Sequence, residues 1–157
     1  MKTDGLSAGQ NHIEPRTSAP SLFEQLGGEG KLRVIIDTFI DRVFEDRMIG
    51  FFFRNADAKR IKEMEYQLAA EFLGAPIVYR GRALDVAHAK HPIMGGHFAR
   101  RRQILKETLE AYAVPQTVRE AWLHHTDSLR PLITSQAESD CDPIAARQKS
   151  RSDGDKA

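Results

Sequence analysis

LRVIIDTFIDRV, residues 32–43, carries the reading of the fold. Leu32, Ile35, Ile36, Phe39 and Val43 recur at the i, i+3, i+4 spacing that lines one buried face of an α-helix. The same period holds outward in both directions. Upstream, Ser21 is placed to cap a short helix carrying Leu22, Phe23 and Leu26, which stops at Gly27-Gly28. Downstream, Gly50 and Phe51-Phe52-Phe53 make an apolar corner, and Asp57 reads as the N-cap of the next helix. That helix carries a stripe of Ile61, Met64, Leu68 and Phe72 and ends at Gly74 and Pro76. Residues 78–81 read as a loop, followed by a short helix from about Arg82 to His91 that Pro92 ends. A helix from Gly96 presents Phe98, Leu105, Leu109 and Tyr112, and Pro115 opens a last one with Val118, Trp122, Leu129 and Ile133. No segment makes a convincing strand, so the expectation is a compact all-α domain.

The 157 residues suit one domain with tails, and 41% hydrophobic residues are enough for a core. Residues 1–19 and 136–157 lack apolar periodicity and read as disordered tails around a domain at 20–135. The 23 basic and 22 acidic residues leave a net charge of +1, which gives no reason to expect nucleic acid or an acidic membrane surface as partner. The single cysteine, Cys141, excludes an internal disulfide and reads as an exposed thiol in the second tail. No apolar run approaches the roughly 20 residues a membrane span needs, and the N-terminus lacks the apolar centre of a secretory signal. A cytoplasmic location is the expectation.

Two charged residues interrupt the apolar stripes. Glu65 lies beside Met64 on the inner side of its helix, and Arg101 falls where the stripe of Phe98, Leu105 and Leu109 calls for an apolar residue. Either side chain can snorkel outward, or both can face one interior cavity and pair there or meet a polar ligand. Among the histidines, His125 on the stripe of Trp122 and Leu129 reads as a satisfied core residue. His88, His91 and His97 cluster in VAHAKHPIMGGHF, residues 86–98, but without a cysteine partner or a His-Glu-x-x-His motif they make a poor zinc site. His88 follows Leu84 by one turn on a short helix, a suitable way to present one imidazole to a cavity. Spacing alone favours, by a modest margin, an ordinary surface or core histidine.

A set of segments shifts that balance. SLFEQLGGEG (21–30), VIIDTFIDRVFED (34–46), the corner at Phe51–Phe53, FLGAPIVYRGRALDVAHAKH (72–91) and HFARRRQILKETLEAYAVP (97–115) together resemble the truncated haemoglobins, most closely group I, with features of group II. The resemblance spans essentially the whole ordered domain. It implies a globin-like two-over-two helical sandwich holding haem b, with His88 as the proximal iron ligand and Phe53 packed on the macrocycle. Leu84, Phe72 and Phe98 are implied wall residues. Arg80, Arg82, Lys90 and His91 lie near His88 in sequence and suit the haem propionates, although a solvated basic face explains them equally well. His91 is placed at the haem edge or in solvent, His97 at the start of the next helix, and Met94 in a packed corner.

On the distal side the chain departs from the pattern. The family's usual tyrosine after the phenylalanine of its second helix is replaced in the pair Phe39-Ile40, so its hydroxyl donor is absent. Ile61 holds the position where other globins often place the distal histidine, Glu65 stands where a glutamine is frequent, and Arg101 replaces an apolar residue or a tryptophan. Three arrangements remain open: Glu65 pairing with Arg101 over the iron, Met64 or Glu65 as a sixth ligand, or an apolar pocket made by Ile40 and Ile61. The implied function is reversible binding of oxygen, NO or CO, with oxygen transport or nitric oxide dioxygenation as family roles and a reductase as partner. The alternatives are a six-coordinate haem protein for redox, electron transfer or sensing, and a helical interaction module that has lost haem. Monomer and dimer fit equally.

Overall fold

The computed structural model describes residues 18–135, and every regular element within them is helical. The tail expectations for 1–19 and 136–157, with Cys141, lie outside the described residues apart from Ser18 and Ala19. Helix α1, Leu22–Leu26, starts on a capping box: Ser21 Oγ accepts from the Glu24 amide at 3.2 Å, and the Glu24 carboxylate accepts from the Ser21 amide at 2.8 Å. Gly27, in the left-handed region at φ 116°, closes α1 and turns the chain into α2, Gly28–Glu45.

Helix α2 is the centre of the molecule. It buries Leu32, Ile35, Ile36, Phe39, Ile40 and Val43, all at 1% exposure or less. Each such side chain contributes about 1.5–3 kcal/mol when fully removed from water. Asp46 then ends the helix. Its carboxylate accepts from the amides of Met48 and Ile49 and from the Arg100 guanidinium, fixing the way the chain turns toward the corner. The corner is a 3₁₀ turn, Gly50–Phe53, and a Cβ at Gly50 would lie 2.4 Å from the Phe44 carbonyl oxygen, so only glycine fits there.

Helix α3, Ala58–Leu73, starts on Asp57, whose side chain accepts from the Arg60 amide, and stops at Gly74 with φ 92°. Its buried face differs from the expected stripe. Tyr66, Ala69, Ala70 and Leu73 are buried, whereas Ile61, Met64, Leu68 and Phe72 remain half-exposed. Tyr66, Ala69, Ala70 and Leu73 join the core cluster, Ile61 and Phe72 pack against it only in part, and Met64 and Leu68 stay half-exposed.

The short helix α4 covers only Leu84–His88, shorter than the expected run to His91. The chain turns at Ala89-Lys90, before Pro92 is reached. Helix α5, Gly95–Ala111, buries Phe98, Ile104, Leu105, Thr108 and Leu109. The expected final helix is in fact two. Helix α6, Gln116–Ser128, buries Val118, Trp122, Leu123 and Thr126. The chain breaks at Leu129, and α7, Arg130–Ile133, restarts with Pro131 in its first turn. Helix α2 packs on α3 and on α5, α5 packs on α6, and α4 rests on α7. The result is the two-over-two sandwich, α2 with α3 against α5 with α6. Polar ties cross it: Thr38 and Tyr112 share a 2.6 Å hydrogen bond, and Arg42 donates to the buried Thr108 hydroxyl at 2.9 Å.

Candidate functional site

His88 is the last residue of α4. Its Nδ1 lies 2.7 Å from the Leu84 carbonyl oxygen one turn back, so a neutral ring donates from Nδ1 and keeps Nε2 as a free lone pair. Burial pushes the imidazole below the ordinary histidine range; the Leu84 carbonyl and Glu65 pull it upward, and Arg101 and His91 press it further down. The balance favours the neutral, ligating form. The two other histidines of the cluster have different work. His91 is exposed and meets Phe52 edge-on at 6.4 Å, and His97 Nδ1 accepts from the Met94 amide at 3.0 Å, tying off the start of α5. Met94 sits at that N-cap and is 39% exposed, so it closes the corner only in part.

Larger apolar side chains of α3, the corner and α4 stay partly uncovered. Ile61, Met64, Leu68 and Phe72 of α3, Phe52 and Phe53 of the corner and Leu84 of α4 are all half-buried. Phe53 is braced by Phe44 at 5.0 Å, and Phe72 lies flat on the His125 ring at 4.0 Å with 4° between planes. Phe98 is 5% exposed and already covered by protein, with the Arg130 guanidinium 5.9 Å from its ring centre, so it offers little open surface of its own. Uncovered aliphatic and aromatic surface of this kind is unfavourable in water and calls for an apolar occupant. Among the described residues no three His, Cys, Asp or Glu side chains gather to hold a bare metal ion. One imidazole beside apolar walls fits a metal that brings its own equatorial ligands, which is what haem provides.

The polar residues of the cleft meet as a pair. Arg101 Nη2 donates to Glu65 Oε2 at 2.8 Å, with the two side chains 25% and 16% exposed. The guanidinium carbon stands 4.8 Å from the centre of the Phe39 ring. Phe39 and Ile40 are themselves 0% and 1% exposed, so they form the layer behind Arg101 and not the open wall expected of them. Glu65 acts electrostatically on both His88 and His125, which brings α3, α4, α5 and α6 to one cleft. His125 departs from its expectation: the residue is only half-buried, against Phe72, and its enclosed Nε2 has no hydrogen-bond partner. Arg80, Arg82 and Lys90 are exposed.

Two features escaped the pattern of the sequence. Tyr66 is 2% exposed with an unpartnered hydroxyl, and the Arg33 guanidinium lies 3.7 Å over its ring. A tyrosine beside Ala69 and Ala70 was the available sign that the inner face of α3 runs through position 66. The Asp46–Arg100 tie had a weaker sign, an aspartate at a helix end before a turn.

Comparison with known proteins agrees with this geometry. The family model for bacterial-like globins matches residues 21–135. The group 1 truncated haemoglobin GlbN of Mycolicibacterium paratuberculosis is 31% identical over 101 residues, covering 64% of this chain and 74% of that protein. The group 1 truncated haemoglobin GlbN of Synechocystis is 29% identical over 100 residues, covering 61% and 81%. Among solved structures, the haemoglobin of Chloroflexus aurantiacus superposes with a TM-score of 0.67 at 26% identity, covering 75% of this chain and 100% of that one. The truncated haemoglobin of Tetrahymena pyriformis in its Fe(III) form reaches 0.70 at 23% identity and supports the fold alone. No helix among the described residues is long and apolar enough to cross a membrane.

Proposed function

The chain belongs to the bacterial-like globins, among the truncated haemoglobins, and from that premise we propose that it holds haem b through His88 Nε2 and binds a small diatomic ligand, oxygen, NO or CO. The observation that carries this reading is the His88 imidazole, pinned at Nδ1 by the Leu84 carbonyl and held neutral by burial beside half-exposed apolar walls. When bound, haem would supply an iron that exchanges small ligands. The chain's own residues do the rest. Leu84 fixes the tautomer and azimuth of His88. Phe53, Phe72 and Ile61 would exclude water from the macrocycle. Ile40, in place of a hydroxyl donor, gives a bound ligand no hydrogen bond. Oxygen transport and NO detoxification are the family roles, and a reductase is the partner either would call on.

The test is a pyridine haemochrome assay and an absorption spectrum on the full chain produced with ample haem. The parent and His91→Ala take up haem in equal amounts, and His88→Ala does not. Equal haem content in all three would remove His88 from the role. A second reading has its own observation: Met64 shares the half-exposed face of α3 with Ile61 and Leu68, within the family's distal wall. A thioether ligand there would make a six-coordinate redox, electron-transfer or sensing protein. It calls for a low-spin ferric spectrum that Met64→Ala converts to high spin.

A further inference from the structure

We propose that Arg101 is the ligand-selecting residue of this site, and that it favours small inorganic anions, of the azide and nitrite kind, over neutral CO. The proposal rests on haem binding at His88. Arg101 is tethered differently from the other arginines of its helix. Arg100 gives Asp46 both Nε and Nη2, and Arg102 gives Asp127 both Nε and Nη2. Arg101 gives Glu65 a single hydrogen bond, from Nη2. Among the described residues it makes no other, so most of its five N–H groups are uncommitted.

The group is nonetheless held in place. The buried Phe39 ring backs the guanidinium at 4.8 Å, and the pair is only a quarter exposed or less. Glu65 offsets the cost of enclosing the cation. The outcome is a neutral pair with unspent donors, on the same cleft as His88. On the half-exposed face of α3, Ile61 and Met64 carry no hydrogen-bond donor, and the fully buried Ile40 carries none either. A neutral ligand therefore gains only apolar contact, whereas an anion gains charge-assisted hydrogen bonds from a preorganised guanidinium.

The experiment uses the full chain loaded with haem. Azide and nitrite are titrated against the ferric form at neutral pH by absorbance, and CO against the ferrous form. Arg101→Leu should weaken azide and nitrite by roughly 10- to 100-fold, the worth of a charge-assisted hydrogen bond, while CO affinity moves by less than about threefold. Arg101→Lys should keep part of the anion affinity, and Glu65→Gln should raise it by releasing the guanidinium. Unchanged azide affinity in Arg101→Leu overturns the proposal. So does an equal loss of azide and CO, which reports a collapsed pocket, and so does weaker azide binding in Glu65→Gln. A parent chain that takes up no haem defeats the His88 reading along with this one; normal haem uptake with a flat azide response defeats this one alone.

Discussion

Replacing His125 by phenylalanine is expected to make the protein more stable. The His125 ring lies flat on Phe72 at 4.0 Å, and its Nε2 is buried without a partner. A buried, unsatisfied polar group costs about 1–3 kcal/mol. The residue as a whole is only partly enclosed, so the lower end applies, about 1 kcal/mol gained on removing it. Phenylalanine keeps the aromatic pair with Phe72. A gain of about 1 kcal/mol corresponds to about 4 °C in Tm for a domain of this size. The pH dependence gives a second reading. Burial holds the His125 imidazole below the ordinary range, with Glu65 pulling weakly the other way. The unfolded chain takes up its proton near the ordinary value of about 6.5, and the folded chain only lower. Between the two the unfolded state holds more protons, so stability falls as pH drops through that window. His88 acts with the same sign, so His125→Phe should shrink the loss of stability on acidification without abolishing it. Urea denaturation of parent and variant at about pH 7.5 and about pH 5.5, with and without haem, measures both quantities. A variant less stable than the parent at the higher pH, or one with an undiminished acid loss, would refute the reasoning.

Tyr66→Phe removes the other orphaned polar atom while keeping the ring under Arg33; urea denaturation should show it neutral or stabilised by up to about 1 kcal/mol, with haem content unchanged. Gly50→Ala drives a Cβ to 2.4 Å from the Phe44 carbonyl oxygen, a backbone contact that cannot give way cheaply. It should lower stability by more than about 2 kcal/mol and weaken haem retention, because Phe44 braces Phe53; a thermal melt and a haem-transfer rate read the two effects.

The helical skeleton was legible because its signals are local. Ser21, Asp57, Gly27 and Gly74 are cap and stop residues whose chemistry acts within one turn, and each does what its type prescribes. The stripe of α3 misled for a physical reason. Ile61, Met64, Leu68 and Phe72 repeat at helical spacing whether they face protein or a cleft, and periodicity registers only that they avoid water. Leu129 and Ile133 extended the period of α6 past Leu129, where the backbone breaks before Pro131 enters the first turn of α7. At the site, Glu65 and Arg101 stood out as charges on apolar stripes, but their single-bonded pairing depends on how α3 and α5 approach. Whether His125 Nε2 finds a partner depends on every neighbour at once, and no spacing rule reports it.

The seating of α4 reaches well beyond the pocket. Five residues carry His88, and their support is α7, which begins 42 positions later at Arg130. Ser135 closes the arrangement by donating its amide and hydroxyl to the Ile93 carbonyl, at 3.0 and 3.3 Å. The azimuth of the His88 ring is thus anchored by a one-turn brace outside the four-helix sandwich. Strain introduced at 129–135 would shift how His88 is presented before it registered in the core, making that short segment a mechanical handle on whatever the proposed ligand histidine holds.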